Sequence, residues 1–255
     1  MEADKIGEYR SQLEEDLTWR NDELRFYYNQ RNKFEKTEEA SKFFKLLILA
    51  YYAHFEGFFR YSLKVYVDAV NSLKIPLRKA KPFLVVGTLE SDFVAYDDVN
   101  KWTQKEKPSN EEELPNELPS TRRRENRLKL LLSIEKKILT SDSKVKLPVS
   151  EKYDDKNSIL YMQQNISKEA MEVLLSRVGL SFEDVQLEIE DRVFGEFLGR
   201  RNPIAHGDNS ERYREGISLK ELDRYKKLYE EITAKLPIVI IQALREKKYL
   251  KEEFR

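Results

Sequence analysis

Histidine is the side chain whose ordinary pKa, ~6.5, lets it take up and release protons near neutrality. This chain has two, His54 and His206. His206 follows Arg201 by five positions, in the string Arg201-Asn202-Pro203-Ile204-Ala205-His206-Gly207. A permanently charged guanidinium that forks onto oxyanions, close in sequence to an imidazole that moves protons, suits acid–base chemistry on an anionic substrate. The spacing alone carries little weight. With 19 Arg and 2 His in 255 residues, an Arg followed by a His after four to six intervening residues arises by chance about 0.4 times per chain.

The neighbours add backbone chemistry. Five residues of straight helix turn through roughly 500°, which leaves Arg and His ~140° apart and on different faces. Pro203 removes a backbone donor and disfavours helical geometry at Asn202. Gly207 follows His206 directly. The expectation is a helix that breaks or turns here, aims both side chains at one pocket and frees backbone N–H groups for an anion. A plainer reading stays open beside it. Arg201 and His206 simply terminate a helix, the Arg near the dipole and the His bonded to backbone.

Other chemistries lack their residues. The chain has no Cys, which excludes disulfides, thiolate nucleophiles and Cys-ligated zinc. It has no His-Glu-x-x-His, no Asp/Glu–His cluster at metal spacing, no Gly-rich phosphate loop and no Gly-x-Ser-x-Gly elbow. Neither a metal nor a cofactor is expected. Lys+Arg and Asp+Glu both number 46, so no global basic field draws in nucleic acid, and any such contact falls to a local patch. No run approaches 18 apolar residues and the first residues are charged, so neither a membrane span nor a secretory signal is expected, and a cytoplasmic location is.

Helices must position these residues. Gly and Pro number only 8 each, which favours long helices over a many-turned β fold. Residues 4–34 carry Ile6, Tyr9, Leu13, Leu17, Leu24 and Tyr27 at helical spacing. Residues 37–74 predict a longer helix, with Thr37 as its cap and a stripe through Phe43, Leu47, His54, Phe58 and Val65. Residues 80–96 read as a short helix or a buried strand, with helix favoured for want of a partner strand. A Pro- and Glu-rich stretch over 100–121 leads into a basic helix, Arg122 to Leu139, capped by Ser120 or Thr121. Ser167 opens a helix that Gly179 closes, and Ser181 opens one toward Leu198. Ser218 with Glu221 forms a capping box for a last helix that runs to about Leu250 and kinks near Pro237. The expected architecture is all-α, one domain over 1–255. Its bundle core comes from about 1–96 and 165–250, and 97–164 is an inserted arm.

The string Arg-Asn-Pro-Ile-Ala-His-Gly resembles the Arg-x4-6-His signature of the HEPN superfamily, and within it the bacterial HEPN-like nuclease branch. A second segment, Ala53-His54-Phe55-Glu56-Gly57-Phe58, is similar to that branch's second element, and Trp19-Arg20 is in keeping with it. The resemblance covers the first two helices and the region 165–250. It implies a HEPN-like bundle of long antiparallel helices that forms a homodimer, with two copies of the motif at one cleft. It also implies RNA cleavage without metal, in a toxin or defence effector restrained by an antitoxin or partner protein. Arg201, His206 and Asn202 are then the catalytic residues. His206 exchanges the proton of a ribose 2′-OH or of the leaving 5′-oxygen, and Arg201 stabilises charge at phosphorus. The ends produced are a 2′,3′-cyclic phosphate and a 5′-hydroxyl. A non-catalytic HEPN-like module that binds nucleotide, RNA or a partner is the alternative.

Supporting residues carry two readings each. His54 lies on an apolar stripe and is a buried, hydrogen-bonded residue or a helper at the cleft. Glu56 pairs with Arg60 at i,i+4 or orients Arg201 or His206. Arg122, Arg123 and Arg124 form a solvated face or grip RNA phosphates. Arg200, Arg212 and Arg214, close to the motif, are candidates to line an RNA path.

Overall fold

The computed structural model of the chain describes residues 3–35, 39–90, 92, 119–140, 143–152, 155–162, 165–185, 191–207 and 216–255. The helices are α1 (Ala3–Gln30), α2 (Ala40–Ser72), α3 (Pro82–Thr88), α4 (Pro119–Leu139), α5 (Lys168–Arg177), α6 (Phe182–Val185), α7 (Asp191–His206) and α8 (Leu219–Arg245). The expected all-α bundle is what forms.

At the centre is α2. Phe44, Tyr51, Phe55, Phe58, Phe59, Leu63 and Tyr66 are buried on several of its sides. A helix this apolar around its circumference has to lie inside others, and α1, α7 and α8 pack against it. Side-chain pairs fix the directions. Tyr9 of α1 meets Ser72 at the far end of α2 (3.2 Å), and Tyr229 of α8 donates to Asn21 (3.1 Å) while Tyr28 donates to Asp223. Phe55 packs on Phe194 and Tyr52 on Phe197, and Phe197 in turn stacks on Tyr225. Thus α1 and α7 run one way, α2 and α8 the other.

Local signals set the helix ends. Ser167 caps α5 by accepting from the Ala170 N–H (3.2 Å). Ser218 and Glu221 close a capping box on α8. Gly179 and Gly207 take left-handed φ values of +77° and +65° beyond α5 and α7, which favour glycine. Within 80–96 the helix covers Pro82–Thr88, as favoured, and Ala80 before it makes a bridge to Leu250. Thr37 lies outside the described residues, and Ser120 and Thr121 sit inside α4, which begins at Pro119. The last helix ends at Arg245, not near 250. There Lys247 turns the chain with φ 53°, so that Tyr249 can accept from the Lys81 N–H (3.0 Å). Pro237 lies buried within α8.

The expected break at Pro203 does not occur. Helix α7 runs through Pro203 to His206. Proline there forfeits one hydrogen bond, to the carbonyl four residues back, and its ring is buried against the bundle. The stop comes at Gly207 instead.

The core takes in more than the two ends of the chain. Val145, Leu147 and Leu160 belong to it, although they fall in the stretch expected as an arm. Residues 143–147 lie extended along 75–77, with Leu77 N–H donating to Ser143 O (3.0 Å) and Val145 N–H to Ile75 O (2.8 Å). The Asn71 amide clasps both backbone groups of Leu147, at 3.0 and 2.8 Å. Residues 93–118 lie outside the described part.

Candidate functional site

The last two turns of α7 carry the motif. Arg201 and Asn202 are half-buried, Pro203 is buried, and Ala205 and His206 are exposed. The Arg201 guanidinium sits over the Tyr52 ring of α2, 4.8 Å from its centroid. Its Nη1 donates to Asn202 Oδ1 (3.3 Å). The same oxygen accepts from Asn165 Nδ2 (2.9 Å), and the next residue, Ile166, accepts from the Tyr52 hydroxyl (3.2 Å). Burial pushes the Tyr52 phenol far above its ordinary range. Glu56 adds to this, and Arg201 and Arg60 oppose it, so the hydroxyl stays a neutral donor. Among the described residues no carboxylate lies within ion-pair distance of Arg201.

Its neighbour is held differently. Arg200 Nη2 is 3.0 Å from Glu221 Oε1. Burial pushes the Glu221 carboxyl up, but hydrogen bonds from the Ser218 N–H and hydroxyl and from Arg200 outweigh it and hold the group low. Glu221 also closes the α8 capping box, so Arg200 ties the end of α7 to the start of α8. Farther back, Arg224 pairs with Glu196.

His206 is the last residue of α7. On a continuous helix it stands ~140° around from Arg201. One chain therefore presents the two side chains on different faces.

The second motif divides its residues between two helices. Burial pushes the His54 pKa down, opposed by Glu23 and aided by Arg20. Its Nε2 is 3.4 Å from Glu23 Oε2 on α1, its ring meets Trp19 edge-on at 5.4 Å, and among the described residues its buried Nδ1 has no partner. Tyr52 faces Phe197 and Arg201 on α7, whereas His54 faces α1, so His54 is not brought to the motif. Glu56 pairs with Arg60, its Oε1 3.3 Å from Nε and 3.1 Å from Nη2. Arg60 Nη1 also donates to Leu160 O (2.8 Å). Glu56 is a turn from Tyr52 and close enough to raise its pKa, so its side chain pairs with Arg60 while facing the Arg201 side. Gly57 makes room for Arg20: a Cβ there would come within 2.7 Å of Nη1. Asp16 holds that guanidinium at 2.6 and 3.3 Å, and it lies over the Trp19 ring at 4.5 Å.

Sequence reading missed Tyr52 and Asn165. Tyr52 is legible only as an aromatic one turn before Glu56. Asn165 gives no signal, because it lies 37 residues from Asn202 in an irregular stretch. Arg212 and Arg214 lie outside the described residues, as do the side chains of Arg122, Arg123 and Arg124 on α4. Among the described residues no group of three or more His, Asp or Glu side chains is placed to hold a metal ion. No described helix is long and apolar enough to cross a membrane.

A family model described as HEPN_MAE_28990-like HEPN matches residues 9–249. No curated protein and no solved structure matches the chain. The matched range covers most of the chain, from within the first helix to just past α8, and the chain belongs to the HEPN_MAE_28990-like HEPN family.

Proposed function

We propose that this protein is a metal-independent RNA endonuclease of the toxin or defence-effector type, working as a homodimer. His206 acts as base on a ribose 2′-OH. The 2′-oxygen attacks the adjacent phosphorus, the P–O5′ bond breaks, and a second His206, from the other subunit, protonates the leaving oxygen. Arg201 stabilises the charge that builds on the phosphoryl oxygens. Asn202 sets the guanidinium beside it. The products are a 2′,3′-cyclic phosphate and a 5′-hydroxyl.

The observation that carries this reading is the state of Arg201: half-exposed, held by a neutral ring and a neutral amide. Its charge is therefore open to a phosphate. Helix continuity supports the dimer, since Arg201 and His206 of one chain do not share a face.

The test is cleavage of single-stranded RNA in EDTA, with end-group analysis of the products. Arg201→Ala and His206→Ala should each lower cleavage by about 10²–10³-fold or more and leave the melting temperature unchanged. Mixing the two variants should not restore activity, because their mixed dimer keeps only one His206 where the mechanism uses two. Cleavage that survives both substitutions sinks the assignment.

The same helix continuity supports a second reading for a monomeric chain. It is a non-catalytic HEPN module that binds a nucleotide, RNA or a partner such as an antitoxin through Arg201. It predicts no cleavage, and binding that Arg201→Ala weakens and His206→Ala leaves alone.

A further inference from the structure

Three elements that are remote in sequence converge on one guanidinium. Tyr52 comes from α2, Asn165 and Ile166 from the irregular strap before α5, and Arg201 and Asn202 from α7. Their contacts form a closed circuit. Arg201 stacks on Tyr52 at 4.8 Å, and Tyr52 bonds Ile166 O at 3.2 Å. Asn165 bonds Asn202 at 2.9 Å, and Asn202 accepts from Arg201 at 3.3 Å.

Every partner in the circuit is uncharged. A carboxylate would hold an Arg more strongly, but it would also compete with any phosphate for the same fork of donors. The Arg200–Glu221 pair next door shows that arrangement, and its guanidinium is committed to the fold. A stacked ring and an amide oxygen restrict the Arg201 side chain without neutralising it.

Resting on the nuclease reading above, we infer that Tyr52 and Asn165 are positioning residues. They act only through Arg201, aiming its guanidinium through neutral contacts while leaving its charge available to the scissile phosphate. Tyr52 supplies the surface on which the guanidinium lies. Asn165 fixes the Asn202 oxygen that takes up one of its N–H groups. A few residues earlier in the chain, Arg177 Nη1 donates to Tyr161 O (2.7 Å) and Arg60 to Leu160 O (2.8 Å). Aim matters because a displacement of about 1 Å at a reacting centre lowers rates by roughly 10²-fold.

The experiment compares Tyr52→Phe, Tyr52→Leu and Asn165→Ala, alone and combined with Arg201→Ala. Single-turnover and steady-state cleavage are read on a fluorescent single-stranded RNA. Tyr52→Phe keeps the ring and should stay within about 5-fold of wild type, whereas Tyr52→Leu should lose roughly 10²-fold in kcat with KM changed by less than about 2-fold. Asn165→Ala should fall between them. In the Arg201→Ala background none of the three should lower the residual rate further. Equal losses in both backgrounds, or a Tyr52→Phe as poor as Tyr52→Leu, overturn the inference. A second readout needs no activity. In ¹⁵N-arginine-labelled protein, the Arg201 Nε–H resonance is identified by its loss in Arg201→Lys. It should be displaced by the Tyr52 ring current and return toward the ordinary position in Tyr52→Leu but not in Tyr52→Phe. If the wild type cleaves no RNA, the nuclease reading fails and this resonance still decides the positioning role. A resonance that does not move overturns that role whatever the activity.

Discussion

The two ends of the candidate region handle charge in opposite ways. In the Ala53–Phe58 element, each charged group within reach is matched: Glu56 with Arg60, and Arg20, which fills the space at Gly57, with Asp16. Phe55 and Phe58 are wholly in the core. At the end of α7, Arg201 has only neutral partners among the described residues, and His206 is exposed. The first element is a clasp that holds α2 to α1 through His54 and Gly57 and to α7 through Phe55. The second is held in place by packing but left electrostatically incomplete. Two motifs that look alike as strings of polar and aromatic residues therefore divide into one whose charges are paired within the fold and one whose Arg201 charge meets only neutral groups among the described residues.

Substitutions on either side should separate along that line. Arg201→Ala and His206→Ala should lower RNA cleavage by about 10²–10³-fold or more and leave unfolding midpoints unchanged. A large drop in stability for either would mean that the open site is part of the clasp. Phe55→Ala, in the clasp, should cost about 3–5 kcal/mol in urea unfolding, with cleavage per folded molecule retained. Glu56→Gln keeps an acceptor oxygen for Arg60 but removes the carboxylate charge that balances its buried guanidinium. It should cost about 2 kcal/mol, less than a fully buried pair because Glu56 keeps some exposure. Gly57→Ala gains about 1 kcal/mol of helix propensity, but its Cβ displaces Arg20 from Asp16 and Trp19. The net expectation is a loss of about 1 kcal/mol, read as a melting temperature lower by about 2–4 °C. An unchanged or raised value would show that Arg20 moves aside freely.

The smallest effect is one of pH. Burial, the largest influence on His54, lowers its pKa in the folded chain, against ~6.5 when unfolded. Between those two values the unfolded chain binds more protons, so stability is full above ~6.5 and falls as pH drops through the folded value. The urea midpoint of the wild type should decrease between pH 7.5 and 5.5, and by less in His54→Gln. If the two proteins lose the same amount, His54 is not the group responsible.

Much of the fold was legible from single residues. The Ser167 and Ser218 caps and the Gly179 and Gly207 stops are set by chemistry within four residues of each helix end, and the structure keeps all four. The reading failed where a local rule met packing. Proline predicts a break at Asn202, yet one lost hydrogen bond near the end of α7 is tolerable when the Pro203 ring is buried. Polar composition hid Val145, Leu147 and Leu160, which enter the core because the Asn71 amide and the backbone of 75–77 satisfy the polar groups around the first two and Arg60 binds the Leu160 carbonyl.

By itself the sequence determined an all-α chain, the caps at Ser167 and Ser218, and a short list of residues in which the only two histidines stand beside Arg201 and Glu56. Tertiary structure alone decided which guanidinium is committed and which is open. Arg200 meets Glu221 across 21 residues of chain, Asn165 reaches Asn202 across 37, and Arg60 reaches Leu160 across 100. Helix period and capping act within a few residues and leave their mark on the sequence. The partner of a charge is chosen by which helices pack together, and no local pattern records it.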